Sequence, residues 1–537
     1  MSKFTYVFAG VALVLFGITA LHKFTGGPGL IGVVLDAVDP GHLSKIPFGQ
    51  GRHKVAPAEI DMSLIAVPEL PQYKTSFKLT LRHLLREKKF AELNDILQSL
   101  QQQSKPDSPA RHQLFIADFS FQLNDDSFEA LLSEWIEATP GHYQPYLARA
   151  NYYYKRAWQA RGNEWASETK EEQMEKFQSL LLLSLADINS AIAIDDKPLG
   201  IYSIYISIAH VLGQKTAATN ALAEALKVDP ADYEIRKVHL SFLRPRWGGS
   251  IEEMGAFVEE SLIYLPENPR LNWLAGLVYD EIARISEDRE AQSEAEKYYS
   301  EALKFGENYI VYQHRGANRY RMDKNTEALE DLNKAISLYP ESSQNFYWRS
   351  SVYSELGEFE KAAIDLIRAY QLDPYDATVT KERDWLTEKL IYEGYEYNKE
   401  QKYAEALKLL NYAAQLSPEN DEVYYWRARI LSNINQIHLA TNDLKKSISI
   451  DPTNYASYAL LDWVLARVGN YDEIVLYWNK YIEIRPNHSS AYVERGGAYF
   501  QMGKYNEAAR NAKIAADMGD PLGTEAYEKF KHLATDL

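Results

Sequence analysis

Cysteine is absent from this chain of 537 residues, which excludes disulfides, thiolate metal sites and a cysteine nucleophile. Basic residues are also few: 58 Lys and Arg stand against 75 Asp and Glu, which gives a net charge of −17. Because phosphate contacts depend on clustered Lys and Arg, this acidic balance argues against nucleic acid as the main partner. The missing thiols also fit an oxidising compartment.

Motifs that carry catalysis are missing as well. The 12 histidines are scattered, without a His-Glu-x-x-His pair at metal-ligand spacing. Neither Gly-x-Ser-x-Gly nor Gly-Lys-Ser/Thr occurs. The sequence therefore predicts no catalytic residue, no metal site and no cofactor, and it favours a binding protein over an enzyme.

An uncharged apolar run occupies residues 4–21, between Lys3 and Lys23. As a helix rising about 1.5 Å per residue it would span about 27 Å, close to the ~30 Å hydrocarbon core of a bilayer. Two interpretations compete, an uncleaved single-pass anchor and a cleaved secretory signal. The run exceeds the usual ~7–15 apolar residues of a signal peptide, which favours the anchor. A slight excess of positive charge before the apolar run predicts that the rest of the chain lies outside the cytoplasm, because positive residues favour the cytoplasmic side of a membrane helix.

Composition divides the chain into four segments. We expect an anchor or signal over residues 1–24, an extended linker rich in proline and glycine over 25–75, a helical block over 76–270 and a repeat array over 271–537. A capping helix is expected over 523–537, because a stack of helical repeats must cover its last apolar face.

Prolines recur at a near-constant interval in the array. They stand at Pro340, Pro374, Pro418, Pro452 and Pro486, separated by 34, 44, 34 and 34 residues. A 34-residue period is typical of stacked helix–turn–helix units. Small residues such as Gly316 and Ala328 recur where two helices would approach closely. We expect the ten extra residues around 375–384 to lengthen one step between units.

This spacing resembles the tetratricopeptide repeat. The resemblance implies an all-α fold, a superhelix of helix pairs, here preceded by the predicted transmembrane helix. It also implies that the first helix of each unit lines a concave groove that binds a protein or a peptide. The groove positions of the family map here to Gln313, Tyr320, Arg321, Tyr347, Tyr395, Asn398, Lys399, Tyr425, Arg429, Trp463 and Arg467. Aromatic rings with intermittent cations suit a peptide of some acidic character.

The helical block before the array carries its own short motifs. They are Ala148-Arg149-Ala150, Trp158-x-Ala160-Arg161-Gly162 and Pro245-Arg246-Trp247-Gly248-Gly249-Ser250. These motifs resemble a bacterial domain family of unknown function that accompanies tetratricopeptide repeats. The resemblance implies a bacterial protein, and so an anchor in the inner membrane with the body in the periplasm, or a soluble periplasmic protein if the signal is cleaved. Within the block, a polar insert over 160–178 is expected to delay a helix to Leu180–Ile194.

An aromatic residue three positions before an arginine recurs along the chain, as in Tyr312/Arg315 and Tyr424/Arg427. These arginines are either ligand contacts or partners of acidic residues on the adjacent helix. The second interpretation is favoured, because a long side chain that ends in a charge can lie along an apolar surface and pair at its edge.

Three functions stay open from the sequence. The favoured one is a membrane-tethered scaffold that holds a partner in the groove. The alternatives are an enzyme with a site in residues 140–250, around Arg161, Arg244 and Arg246, and an oligomerising component of a cell-envelope assembly.

Overall fold

The computed structural model describes residues 76–106, 108–162 and 168–535, which contain α-helices and short 3-10 helices but no β-strand. The all-α prediction is confirmed for this part of the chain. The apolar run 4–21 and the predicted linker lie outside the described residues, so the membrane helix stays a prediction.

The described chain packs as two compact units that meet at the 383/384 boundary. The α-helices of the first unit are α1 (Phe77–Arg86), α2 (Phe90–Gln103), α3 (Pro109–Ser120), α4 (Ser127–Ala138), α5 (Gln144–Arg161), α6 (Glu171–Ile194), α7 (Leu199–Val211), α8 (Lys215–Val228), α9 (Tyr233–Phe242), α10 (Ile251–Ser261), α11 (Asn272–Asp288), α12 (Gln292–Ala302), α13 (Tyr309–Arg321), α14 (Asn325–Leu338), α15 (Ser343–Glu355), α16 (Phe359–Leu372) and the start of α17 (Ala377–Lys399). Short 3-10 helices cover Pro245–Trp247, Leu262–Tyr264, Pro269–Leu271 and Leu303–Phe305.

The second unit continues the same pattern of helix pairs. Beyond the rest of α17 it contains α18 (Tyr403–Leu416), α19 (Asp421–Asn433), α20 (Ile437–Ile450), α21 (Tyr455–Ala466), α22 (Tyr471–Ile484), α23 (Ser489–Gln501), α24 (Tyr505–Asp517) and α25 (Pro521–Phe530).

In the array, a residue with left-handed backbone conformation lies in the turn between the two helices of each pair. After Asp323, at φ 58°, the N–H of Lys324 donates to the carbonyl of Arg319 at 2.9 Å and ends α13. The same turn uses Glu290, Gly357, Gln401, Asn435, Gly469 and Gly503. Glycine adopts this conformation without steric strain, but more than half of these turns use another residue, so the sequence hides this second period.

The recurring prolines lie in the loops between units, and tyrosines hold two of those loops. The Tyr424 hydroxyl donates to the carbonyl of Pro418 at 3.1 Å, and the Tyr492 hydroxyl donates to the carbonyl of Pro486 at 3.0 Å. The loop is thereby fixed to the first helix of the unit that follows it.

An arginine on the first helix of several units ties three helices together. Arg427 of α19 donates twice to Asp443 of α20, at 2.7 Å each, and its third bond reaches Asn411 of α18 at 3.0 Å. The prediction that these arginines pair with an acidic residue on the adjacent helix is confirmed. The other pairs are Arg149 with Asp187, Arg315 with Asp331 and Arg349 with Asp365.

The last unit departs from this rule. Arg495 of α23 donates to the Asn511 side-chain oxygen at 2.9 Å, in the place where the units of Arg315, Arg349 and Arg427 have an aspartate. Its Nη1 still reaches the preceding hairpin, at Asn479, at 2.6 Å. An amide therefore fulfils the acceptor role of the carboxylate here.

Two helix boundaries differ from their predictions. Helix α6 begins at Glu171 and not at Leu180, because Glu171 and Glu172 suit the positive end of the helix dipole and Phe177 adds a buried contact. The ten extra residues near 375–384 do not lengthen a loop. They extend α17 to 23 residues, because residues 377–386 contain no glycine or proline to end it.

The terminal helix was predicted over 523–537 and occupies Pro521–Phe530 instead. Asp520 accepts from the N–H groups of Leu522 and Gly523, and Pro521 fits the first turn, so the helix starts earlier than expected. Phe530 is buried among alanines of α24, which covers the end of the apolar core.

The N-terminal helices of the first unit contact loops of its last repeats. Arg82 donates to the carbonyl of Leu372 at 2.8 Å, and the N–H of Phe77 donates to Glu341 at 3.0 Å. Lys155 lies 3.7 Å from Asp373. Helices far apart in sequence therefore hold each other within this unit.

Among the described helices, α6 is the one long and apolar enough to cross a membrane. It packs Phe177, Leu181 and Ile188 into the core beside α5, and its central Asp187 pairs with Arg149. Leu183 is 47% exposed. The most apolar stretch of this helix is 33% buried, so α6 combines these core contacts with apolar residues that are exposed.

We expect Asp443→Ala to lower the free energy of unfolding by about 3 kcal/mol, because it leaves the Arg427 guanidinium buried without its carboxylate. Asp443→Asn should cost only about 1 kcal/mol, because Asn511 already holds Arg495 in the same geometry. Urea denaturation followed by circular dichroism measures both. Equal losses in the two variants would contradict the interpretation that an amide can replace the carboxylate.

Candidate first-helix binding surface

Four predicted groove residues lie in the first unit, on α13 and α15. They are Gln313, Tyr320, Arg321 and Tyr347. Arg321 lies 5.0 Å above the ring of Trp348, which also packs on Tyr320. Its Nη1 pairs with Glu287 at 3.2 Å. The chain's own carboxylate therefore neutralises the one cation among these four residues.

The other seven predicted groove residues lie in the second unit. They are Tyr395, Asn398 and Lys399 on α17, Tyr425 and Arg429 on α19, and Trp463 on α21 with Arg467 immediately after its last residue. Hydrogen bonds join the three helices along this surface. Asn433 donates to Asn398 at 2.9 Å, and Arg467 donates to the carbonyl of Ser432 at 2.9 Å. We call these seven residues the first-helix band.

Every cation of the first-helix band lies over an aromatic ring. Such contacts stabilise a cation by about 0.5–1 kcal/mol at exposed sites and hold it in place. The pairs are Lys399 over Tyr395 at 5.2 Å, Arg429 over Trp426 at 5.3 Å and Arg467 over Trp463 at 4.9 Å.

The aromatic residues differ in how much of each reaches solvent. Tyr425 is only 5% exposed, and its hydroxyl lies 3.4 Å from Arg429. Tyr395 is partly buried and packs edge-on against Trp426 at 5.1 Å. These two rings therefore lie beneath the cations. The part of the band that faces solvent consists of the cations and Trp463.

Two tryptophans of this layer, Trp348 and Trp426, were not predicted from the sequence. Each follows a tyrosine and precedes the arginine that ties the hairpins, in the tripeptide Tyr-Trp-Arg at 347–349 and 425–427. That repeated tripeptide is the signal that could have revealed them.

Arg429 and Arg467 form no ion pair with any described residue. Arg467 is held by Ser432 and by Asn435, at 2.8 Å, both neutral acceptors. Arg429 reaches only the Tyr425 hydroxyl and the Trp426 ring. Two positive charges therefore stay uncompensated on the surface of an acidic protein.

Carboxylates gather at the opposite end of α19. Asp421 and Glu422 lie in its first turn, two turns before Arg429. Burial, together with the negative charges of Asp421 and Glu388, raises the pKa of Glu422 to about 7. The surface of this helix is therefore acidic at its start and basic toward its end.

The alternative site in residues 140–250 is not gathered into a pocket. Arg161 lies over Trp158 at 5.6 Å, and Arg244 pairs with Glu281 at 3.3 Å. A nearby cavity of about 20 Å³ has room for about one water, and none of the three arginines lines it. Within the described chain, no group of three His, Asp or Glu side chains could hold a metal ion.

Buried acidic groups line that cavity, including Asp118, Asp232 and Glu234. Burial raises the pKa of Asp118 to about 8 and that of Asp232 to about 6, and the nearby Arg111 opposes both shifts. Arg111 pairs with Asp229 at 3.1 Å. The cluster links α3 to the α8–α9 region of the fold.

The fold and the band define a solenoid of paired helices with a surface on its first helices. Residues 315–377 and 421–454 match family models described as Tetratricopeptide repeat. Residues 78–216 and 213–279 match the model described as Domain of unknown function (DUF4034). The chain therefore carries tetratricopeptide repeats, preceded in its N-terminal half by a segment that matches the model of that second family.

Curated relatives match part of the chain. The "Protein STIP1 homolog" of Dictyostelium discoideum is 33% identical over 81 residues, 15% of this chain and 14% of its own length. The "Hsp70-Hsp90 organizing protein" of Triticum aestivum is 23% identical over 252 residues, 40% of this chain and 42% of its own. The chain thus spans less than half the length of each.

Solved structures of similar proteins include YrrB, described as "a TPR protein with an unusual peptide-binding site". It is 22% identical, covers 37% of this chain and 97% of its own, and has a TM-score of 0.25. A tetratricopeptide repeat protein of Parabacteroides merdae is 20% identical, covers 48% and 98%, and has a TM-score of 0.22.

We expect Glu422→Gln to stabilise the protein at pH 8 by roughly 2 kcal/mol. The pKa of Glu422 is about 7 in the folded protein and near 4.5 in the unfolded chain. The free energy of unfolding of the parent therefore falls as pH rises from about 4.5, because the unfolded chain ionises first. This loss is complete above pH 7. The variant should equal the parent at pH 4, where both forms are neutral. Urea midpoints at the two pH values measure this. A gain of the same size at pH 4 would contradict a titration effect.

Proposed function

We propose that the protein is an interaction scaffold, without enzymatic activity, that binds a protein or peptide on the first helices of its repeats. The observation that carries this proposal is the first-helix band, where cations lie over aromatic rings across three successive first helices. Two of these cations, Arg429 and Arg467, have no carboxylate partner among the described residues. Aromatic and arginine side chains are the residue types that contribute most to protein interfaces. The names of the relatives, which describe an organizing protein and a peptide-binding site, support the same class of function.

In this proposal the body is tethered to the bacterial inner membrane through residues 4–21 and faces the periplasm. The support is the length of the uncharged run and the absence of cysteine. The segment of unknown function over 76–270 would serve as the platform between the linker and the binding repeats.

Site-specific photo-crosslinking in living bacteria tests the binding surface. A photoreactive residue at Arg429 or Trp463 should give adducts with a partner, because these side chains reach solvent in the band. Lys446 and Lys480 supply matched control positions, since each is an exposed cation near a tyrosine but lies on a second helix. Adducts of equal yield at the control positions would contradict the assignment of the surface.

Deletion of residues 4–21 tests the tether. The full chain should sediment with membranes and resist extraction by high salt, because an apolar run of this length inserts into the bilayer. The deleted chain should be recovered in the soluble fraction. A reporter fused after Leu537 that is active only in the periplasm should report that location. Membrane recovery of the deleted chain would show that the run is not the anchor.

A further inference from the structure

Two arginines two residues apart on α19 have opposite electrostatic surroundings. Arg427 donates to the carboxylate of Asp443 through two bonds. Arg429 contacts only a tyrosine hydroxyl and a tryptophan ring among the described residues. The first charge is compensated inside the fold, and the second is left for a ligand.

We propose that the first-helix band binds an acidic segment of a partner polypeptide, whose carboxylates pair with Arg429 and Arg467. The proposal rests on the proposed function and specifies the partner by its chemistry. Charge complementarity supports it, because the chain carries a net charge of −17 and yet leaves these two cations without a carboxylate.

Both guanidinium groups keep free donors in a fixed position. A guanidinium has five N–H donors. Arg467 donates to the Ser432 carbonyl and to the Asn435 side chain, and its guanidinium lies over Trp463. Arg429 donates one hydrogen bond, to the Tyr425 hydroxyl. The remaining N–H groups can donate to a carboxylate without a large loss of side-chain entropy, since the side chains are already ordered.

The distribution of charge also indicates which unit binds the acidic segment and toward which end of the first helices its carboxylates lie. In the first unit the corresponding cation, Arg321, is already paired with Glu287, so the acidic segment is assigned to the second unit. On α19 the first turn carries Asp421 and Glu422, which would repel carboxylates. The acidic side chains of the partner therefore lie toward the last turns of α19 and α21.

The test uses the full-length chain in detergent and a fluorescein-labelled peptide of 12 residues that alternates glutamate and leucine. Fluorescence anisotropy should show binding that weakens as NaCl rises from 50 to 300 mM. The double variant Arg429→Glu/Arg467→Glu should weaken binding at least about tenfold. The charge-preserving variant Arg429→Lys/Arg467→Lys should retain most of it, and circular dichroism confirms that each variant is folded.

The matched control is Lys446→Glu/Lys480→Glu, which makes the same change of net charge on second helices and should bind within about twofold of the parent. An equal loss in this control would overturn the proposal, since it would show a response to net charge alone. Tighter binding of a peptide with lysine in place of glutamate would overturn it too. So would full displacement by inorganic polyphosphate at equal charge concentration, which would indicate a general anion site.

Failure of this inference is distinguishable from failure of the proposed function. If the crosslinker at Arg429 or Trp463 captures a partner while the acidic peptide does not bind, the scaffold stands and the acidic specificity is wrong. If those positions give no adduct above the second-helix controls and the peptide does not bind, both proposals fail.

Discussion

The stacking of helices in several repeat units depends on a partly buried arginine that must find acceptors on two sides. In the units of Arg315, Arg349 and Arg427, the arginine of the first helix bonds an aspartate of its own second helix and a polar side chain of the preceding second helix. A charge taken out of water is tolerated only if its hydrogen bonds are satisfied. The three helices must therefore adopt the angle and register that place both acceptors within reach, while apolar packing supplies most of the stability.

The same rule operates in the N-terminal block. Arg149 bonds Ser133, which lies 16 residues before it, the interval that separates Arg349 from Asn333. Its carboxylate partner Asp187 lies 38 residues after it, where the repeats use 16. The insert between α5 and α6 therefore lengthens the chain without changing the contact. The segment of unknown function is built on the same interhelical tie as the repeats that follow it.

The sequence was most informative where a residue type can do only one thing. Prolines mark loops because they cannot continue a helix, and an arginine beside an apolar surface needs hydrogen-bond acceptors, so the period and the arginine pairs could be predicted. The left-handed turn at Gln401 could not, because the stacked helices impose a conformation that glutamine rarely adopts. The burial of Tyr425 was equally hidden, since it depends on Trp426 and on the neighbouring helix.

Helix geometry places the two arginines of α19 on different sides of the helix. Positions two apart on a helix point about 200° away from each other, so Arg427 faces the carboxylate of the second helix and Arg429 faces the band. One arginine is therefore constrained by folding, and the other is free of that constraint. The neutral pair of Arg495 and Asn511 shows that even the folding constraint is on hydrogen-bond acceptance and not on charge alone. A repeat of this kind can hence change the charge of its ligand surface from unit to unit, as Arg321 and Arg429 already do, without changing the contact that fixes its helices.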